Sequence, residues 1–152
     1  LIDDEAIRLM VEHGTFLVST RRLAEGMDVS KAPPVLQAKA AEMFPKARTS
    51  IKAAYEAGVK IAVGTDAPAI PHGRNADELV TLVEWGMSPA AVLKAATVTA
   101  AELINAGDRG RIAEGLLADI IAVPGDPLSD ITVTKNVNFV MKGGKVYVHQ
   151  ED

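Results

Sequence analysis

The sequence predicts an α/β fold in which helices cover a parallel sheet and a small β element follows. Helical and strand patterns alternate with short connections along the first part of the chain, which is the order of βα units around a parallel sheet. The run from Val59 to Gly64 is short and apolar, which is typical of a strand covered on both faces. After Gly107 the pattern changes to short segments and tight turns, so a second region is predicted there.

The first helix and strand are predicted at the start of the chain. Asp3 and Asp4 can cap a helix, and Gly14 is well placed after its end. Residues 15–19 then form a predicted buried strand. The apolar positions of the helix follow the i, i+3, i+4 spacing: Ile7, Met10 and Val11.

A long helical pattern lies between the two predicted strands. A loop rich in charged and small residues is expected over residues 20–34, and the helix over residues 35–57. Pro45 is expected to break or restart this helix, because proline cannot donate a helical hydrogen bond. Gly58 ends the helix before the strand at residues 59–64.

Three helices are predicted after the second strand: residues 75–85, a helix that begins at Ser88–Pro89, and residues 99–105. Asn75 with Glu78 three residues later has the pattern of a capping box. Ser88 suits the N-cap position, and Pro89 suits the first helical position.

The last region is predicted to be a β element. The run Ile120 to Val123 has β-type composition, and two further strands are predicted at residues 137–141 and 145–148. Gly143 and Gly144 between them indicate a tight hairpin turn.

Asp66 is the candidate functional residue that the strand pattern singles out. It follows the strand at residues 59–64, and side chains at the carboxyl ends of parallel strands face the ligand side of α/β folds. The alternative is an aspartate that caps a helix or a turn before Ala67 and Pro68. The residues alone leave both readings open.

Composition excludes several classes of protein. The chain has 152 residues, of which 48% are hydrophobic and 24% charged, so we expect an ordinary globular domain. The net charge of -4, without a basic cluster longer than Arg21–Arg22, argues against a nucleic-acid partner. Long apolar stretches and cysteines are absent, so we expect no membrane span, no disulfide and no thiolate metal site. The compartment stays undecided on these grounds, with the cytoplasm slightly favoured.

Several short motifs occur in the order and spacing of a known family. Gly64-Thr65-Asp66, Pro71-His72-Gly73 and residues 86–89 and 95–97 resemble the eighth strand and following helices of amidohydrolase-superfamily metallohydrolases. Residues 110–120, 125–128 and 140–146 are similar to the return of that family into its composite β domain. Within the superfamily, the similarity is closest to imidazolonepropionase-like enzymes, a group that includes Xaa-Pro dipeptidases and related carboxypeptidases.

The resemblance implies the C-terminal part of a TIM (β/α)8 barrel, with its last two strands and their helices, plus the C-terminal strands of a small composite β-sandwich domain. Residues 1–106 would form the barrel part, and residues 107–152 the β part. The His-x-His pair of the first strand and the ligands of the fourth to sixth strands are not in this sequence. We therefore expect a fragment that needs the missing N-terminal part of the barrel.

The resemblance also implies a chemistry, which is metal-dependent hydrolysis of an amide or peptide bond in a small-molecule or peptide substrate. Asp66 would bind a divalent metal, most simply one or two zinc ions whose other ligands lie outside this chain, and would carry a proton from the attacking water to the leaving nitrogen. His72 would contact the substrate, against the alternative of a solvated loop histidine. Arg74 would bind a substrate carboxylate, against the alternative of an ordinary surface arginine.

Alternatives remain open at this point. A cyclic-amide hydrolase or a deaminase of the same superfamily would use the same aspartate and metal. A non-catalytic α/β interaction or assembly module is the alternative from a different class. In each case we expect the isolated chain to be inactive and to associate as a homo-oligomer, because much apolar surface must be covered.

Overall fold

The computed structural model describes residues 2–21, 29–68 and 70–150. Part of the expected loop, residues 22–28, lies outside the described residues. Two 3-10 helices cover Val29–Lys31 and Ile131–Lys135. The α-helices are α1 (Asp4–Glu12), α2 (Pro34–Glu56), α3 (Ala76–Glu84), α4 (Pro89–Ala96) and α5 (Val98–Leu103). The strands are β1 (Phe16–Ser19), β2 (Lys60–Val63), β3 (Ile120–Ala122), β4 (Phe139–Lys142) and β5 (Lys145–His149).

Strands β1 and β2 form a parallel pair at the centre of the first region. Phe16 aligns with Lys60 and Ser19 with Val63, and α2 provides the crossover that parallel strands need. A smaller cluster of Ile7, Ala54 and Val59 holds α1 against α2. The main core consists of Ala47, Ile51, Ile61, Leu82, Trp85, Met87, Val92, Ala95 and Ile131.

Helix α2 continues through Pro45, so the expectation that Pro45 breaks or restarts the helix is wrong. The proline removes one N–H donor from the helix, which is a local cost. The part of the helix after Pro45 buries Ala47, Ile51 and Ala54 in the two cores. Because most helical stability in proteins comes from packing, this burial overrides the local preference.

Two of the predicted helix starts are confirmed. The Asp3 side chain accepts a hydrogen bond from the Ala6 backbone N–H at 2.9 Å, and the Ser88 side chain accepts one from Ala91 at 3.2 Å. Pro89 is the first residue of α4, where its missing N–H costs nothing.

Two other helix starts differ from the expectation. The capping box at Asn75 is wrong, because Asn75 has helical backbone angles and its side chain makes no cap hydrogen bond. Glu78 does not return to Asn75, because its buried carboxylate bonds to residues of another element. The third helix begins at Val98 and not at Thr99, which is buried inside α5.

The β element is an antiparallel sheet in the order β3-β4-β5. Gly143 and Gly144 have φ angles of 55° and 77°, and they form the predicted turn between β4 and β5, where positive φ favours glycine. Ile131 belongs to the main core, so the segment between β3 and β4 packs against the helices of the first region. The proposed division at residue 106 stays a prediction.

Among the helices of the described residues, none is both long enough and apolar enough to cross a membrane.

Candidate functional site

The carboxyl ends of β1 and β2 lie side by side because the strands are parallel. The Gly64 backbone N–H donates a hydrogen bond to the Ser19 carbonyl oxygen at 2.7 Å, which extends the pairing just beyond β2. A Cβ atom on Gly64 would lie 2.8 Å from Val18 Cγ1 and 3.2 Å from the Ser19 oxygen. Glycine is therefore needed at this position for close approach of the two chain segments.

Asp66 lies two residues after Gly64 and has a φ angle of 54°, in the left-handed region that few non-glycine residues adopt. Aspartate is one of the residues that tolerate it. The residue is exposed, and its carboxylate makes no hydrogen bond or ion pair within the part of the chain that the structure describes. Among the described residues, the backbone thus presents an exposed carboxylate without a partner just beyond a strand end.

Glu78 is a functional-site candidate that the sequence patterns assigned only to a helix cap. Its side chain is fully buried, and Oε1 accepts hydrogen bonds from Ser19 Oγ at 2.5 Å and from the Arg21 backbone N–H at 2.9 Å. Ser19 is 1% exposed. This carboxylate therefore fastens the first turn of α3 to the carboxyl end of β1.

The burial of Glu78 is indicated in the sequence by helical spacing. Glu78 precedes Leu82 by four residues, and Thr81 precedes Trp85 by four, so these side chains form one buried face of α3. A carboxylate on the apolar face of a helix has to find a hydrogen-bond donor there. The sequence does not show that the donors come from β1, since they are more than fifty residues away in the chain.

Asp77 lies next to Glu78 and binds two cations. Its carboxylate contacts Lys135 Nζ at 2.8 Å and Arg74 Nη2 at 2.7 Å, and only 9% of its side chain is exposed. The hydrogen bond from Lys135 lowers the pKa of Asp77 most strongly, burial opposes this effect, and Arg74 lowers the pKa further. Asp77 therefore links the loop before α3 to the 3-10 helix Ile131–Lys135.

The two predicted substrate-contacting residues occupy different environments. Arg74 is bound to Asp77, yet its side chain remains 54% exposed, so part of the guanidinium faces solvent. His72 is exposed and makes no hydrogen bond or ion pair with any of the described residues. Both residues lie in the same loop as Asp66, between β2 and α3. Their substrate roles stay predictions.

A cleft of about 690 Å³ opens beside this loop, between the end of β2, the start of α3 and the β element. Gly64, Thr65 and Gly73 line one side, and Lys135 lies at another. Asp66 is not one of the lining residues. The apolar part of the lining consists of Val63, Ala76, Leu79, Leu93, Ala96, Ile121 and Val137.

A metal centre needs more ligands than the described residues bring together. Over residues 2–21, 29–68 and 70–150, there is no group of three or more His, Cys, Asp or Glu side chains that could hold a metal ion. The exposed Asp66 carboxylate fits the role of one oxygen ligand, since such an oxygen suits hard divalent cations. A catalytic zinc normally takes three protein ligands, so the others have to come from outside these residues.

Comparison with known proteins gives the family context. A model of the amidohydrolase family matches residues 1–147. Ochratoxinase from Aspergillus niger is 38% identical to this chain over 154 residues, which cover 95% of this chain and 32% of the ochratoxinase. An uncharacterized protein from Mycobacterium tuberculosis is 31% identical over 151 residues, which cover 96% of this chain and 40% of that protein.

Solved structures agree with the sequence comparison. A Xaa-Pro dipeptidase with methionine bound in its active site superimposes with a TM-score of 0.86 and 41% identity, over 96% of this chain and 37% of the dipeptidase. A prolidase complexed with N-methylphosphonate-L-proline gives a TM-score of 0.84 and 34% identity, over 99% of this chain and 39% of the prolidase. The chain thus spans about a third of the length of these relatives. The predicted fold class is confirmed as an α/β structure that matches the C-terminal part of such chains.

Proposed function

This chain belongs to the amidohydrolase family, and from that premise we propose that it acts as part of a longer protein that hydrolyses an amide or peptide C–N bond. In this proposal β1 and β2 are two strands of a larger (β/α)8 barrel, whose other strands complete the site. The observation that carries the proposal is the Asp66 carboxylate just beyond the carboxyl end of β2, which is exposed and has no partner among the described residues. Active sites of such barrels lie at that end of the strands.

Asp66 would have two tasks in this reaction. It would be one oxygen ligand of a divalent metal, with zinc expected as one or two ions and with the other ligands outside this chain. When bound, the metal supplies Lewis acidity that polarises the scissile carbonyl and makes water a stronger nucleophile near neutral pH. The Asp66 carboxylate would accept the proton of the attacking water and deliver it to the leaving nitrogen as the C–N bond breaks.

The relatives and the loop between β2 and α3 support a proposal for the substrate class. Relatives with more than 30% identity include a Xaa-Pro dipeptidase and a prolidase, so a dipeptide is the substrate that we propose. A dipeptide has a free carboxylate, and the exposed part of the Arg74 guanidinium would bind it. His72 in the same loop would contact the substrate. Hydrolysis of Xaa-Pro dipeptides by the full-length protein, compared with cyclic amides and aminated heterocycles, tests this choice.

The substitution Asp66→Asn in the full-length protein tests the proposed function. Asparagine has the same shape and also tolerates the left-handed backbone, so we expect the metal-free protein to fold with an unchanged melting temperature. Turnover should fall by about 10²- to 10⁴-fold, because the proton acceptor is lost. The matched control is Asp4→Asn, which makes the same chemical change on an exposed residue of α1 and should leave turnover unchanged. Full turnover by Asp66→Asn would instead favour a non-catalytic assembly module.

A further inference from the structure

We propose that Glu78 and Ser19 together form a positioning device that fixes the location of Asp66 without touching the substrate. The inference rests on the proposed function of Asp66 and adds residues to that site. Glu78 lies in the first turn of α3, Ser19 is the last residue of β1, and Asp66 follows β2. Glu78 contacts the end of β1, and the end of β1 is hydrogen-bonded to Gly64 just before Asp66, so the three segments are connected through Ser19.

The first step of the device is the contact of Glu78 with β1. Its Oε1 accepts hydrogen bonds from the Ser19 hydroxyl at 2.5 Å and from the Arg21 backbone N–H at 2.9 Å. Both Glu78 and Ser19 are at most 1% exposed, so water does not compete for these bonds. Hydrogen bonds to a charged acceptor away from water are among the strong ones. The carboxyl end of β1 is thus fixed both through a side chain and through the backbone.

The second part of the positioning device is the hydrogen bond that connects the end of β1 to the end of β2. The Ser19 carbonyl oxygen accepts the hydrogen bond from the Gly64 N–H at 2.7 Å, so the residue held by Glu78 also holds the backbone two residues before Asp66. The approach is close, since a Cβ on Gly64 would meet Val18, Thr20 and Ser19 within 3.2 Å. A shift of Ser19 would therefore move Gly64, and with it the start of the loop that presents Asp66.

The stability of the fold does not by itself require a buried carboxylate at position 78. An apolar residue at position 78 would satisfy the apolar face of α3, whereas a buried carboxylate needs donors and loses hydration. Catalytic groups must be held within about 0.5 Å of their productive geometry by supporting residues. Glu78 and Ser19 satisfy that requirement for Asp66 through two hydrogen bonds in series.

The experiment uses the full-length protein with the substitution Ser19→Ala. Alanine fills the small buried site but cannot donate to Glu78, so we expect kcat to fall by about 10- to 100-fold, as for other residues that orient metal ligands. KM should stay within about twofold of its original value, because neither residue contacts the substrate. The matched control is Thr81→Val, which removes another buried hydroxyl from the same face of α3, one whose hydrogen bond goes to Asp77 within the helix. This control should lower the melting temperature without lowering kcat.

Variants of Glu78 separate positioning from general stability. Glu78→Gln retains an oxygen acceptor and should keep much more of kcat than Glu78→Ala. The double variant Ser19→Ala/Glu78→Ala should have the same kcat as Glu78→Ala alone. The reason is that Glu78→Ala already removes the hydrogen bond between Ser19 and Glu78. If Glu78→Ala does not fold, Ser19→Ala and Glu78→Gln still decide the matter. An unchanged kcat for Ser19→Ala, or an equal loss for Thr81→Val, overturns the proposal.

A readout that is independent of activity separates this inference from the proposed function. Ser19→Ala should increase amide hydrogen exchange in the peptide that contains residues 60–68, because Ser19 accepts the hydrogen bond of Gly64. Thr81→Val should not, because the Thr81 hydroxyl bonds to Asp77 within α3. If Asp66→Asn retains turnover, the catalytic role of Asp66 is wrong, while the exchange result still shows whether Ser19 holds the loop. If exchange is unchanged in Ser19→Ala, the positioning device is wrong even when Asp66 proves to be essential.

Discussion

At the scale of single residues, Gly64 donates a hydrogen bond to β1 and lies so close to β1 that a side chain has no room. We expect Gly64→Ala to destabilise the protein by about 1–3 kcal/mol, because overfilling a closely packed site forces the backbone or its neighbours to move. The nearest atom to a new Cβ is Val18 Cγ1. Urea unfolding of the full-length protein measures the change. Gly107→Ala is the control, because a Cβ there meets nothing within 4 Å.

The backbone of Asp66 suggests a substitution that would stabilise the protein while removing its activity. With φ at 54°, Asp66 adopts a conformation that glycine reaches without steric cost. In the metal-free full-length protein we expect Asp66→Gly to raise the stability by about 0.5–1 kcal/mol, after the larger entropy of an unfolded glycine is counted. Turnover should be lost at the same time. A lower melting temperature for this variant would show that the carboxylate makes a stabilising contact in the full-length protein.

The sequence pattern singled out Asp66 as a candidate but did not predict the contact of Glu78 with Ser19, and the reason is physical. Asp66 follows an apolar strand, and that local pattern already places a carboxylate at the strand end. Glu78 has a local pattern as well, with Asn75 three residues before it, but the capping role was wrong because the Ser19 hydroxyl is a better partner for a buried carboxylate. Contacts between distant parts of the chain depend on tertiary packing, which spacing along the sequence does not encode.

At the scale of elements, helix α2 retains a proline that its packing tolerates. We expect Pro45→Ala to stabilise the protein by about 1–3 kcal/mol, since it restores a helical N–H and removes a steric conflict with the preceding turn. Pro34→Ala is the matched control, because Pro34 occupies the first turn of the same helix, where proline is favourable. The control should give no gain. Thermal unfolding of both variants of the full-length protein measures the difference.

Asp77, in the first turn of α3, should make the free energy of unfolding depend on pH in the acidic range. The pKa of Asp77 lies below its ordinary value of 3.8, chiefly because Lys135 donates to it. Between the lowered pKa and 3.8 the unfolded chain binds more protons, so the stabilisation is present above 3.8 and is lost as the pH falls through the lowered pKa. Asp77→Asn should therefore reduce stability at neutral pH and flatten its decline in acid.

The control for this acid dependence is Asp108→Asn. Asp108 pairs with Arg109, and its pKa is also lowered by that partner, but the pair is exposed to solvent. Solvent-exposed ion pairs contribute little to stability, so this variant should follow the original protein across the whole pH range. Urea unfolding at a series of pH values compares the three proteins. An identical acid slope for Asp77→Asn and the original protein would contradict the role of Asp77.

At the scale of the whole molecule, the exposed apolar surface determines how this chain behaves in isolation. The described residues expose several large apolar side chains on both regions: Val35, Leu36, Ile104, Ile112, Ile121, Leu128 and Tyr147. Large exposed apolar patches favour association. We expect the chain expressed as residues 1–152 to self-associate, and light scattering after gel filtration measures its mass. A stable monomer that does not bind a hydrophobic dye would contradict this expectation.

The order of the elements was predictable because it depends on local patterns. The parallel pairing of β1 and β2 follows from two apolar strands joined by a helix, and the β4–β5 hairpin follows from Gly143 and Gly144. Pro45 shows the limit of that reasoning, since a local breaker was overridden by the burial of Ile51 and its neighbours. The substrate, the metal and the partners stay proposals, because the described residues bring together no group of three or more side chains that could hold a metal ion.

The φ angle of Asp66 restricts how this position can change during evolution. Glycine, asparagine and aspartate adopt a left-handed backbone readily, and aspartate is the member of that group with a carboxylate. Glutamate has the right charge but lacks the short side chain that makes this backbone accessible. Exchange of Asp66 for glutamate is therefore disfavoured. Under the proposed catalytic role of Asp66, relatives without hydrolytic activity should carry glycine or asparagine at this position. The backbone angle, together with that role, thus provides a criterion for recognising such relatives in a set of aligned sequences.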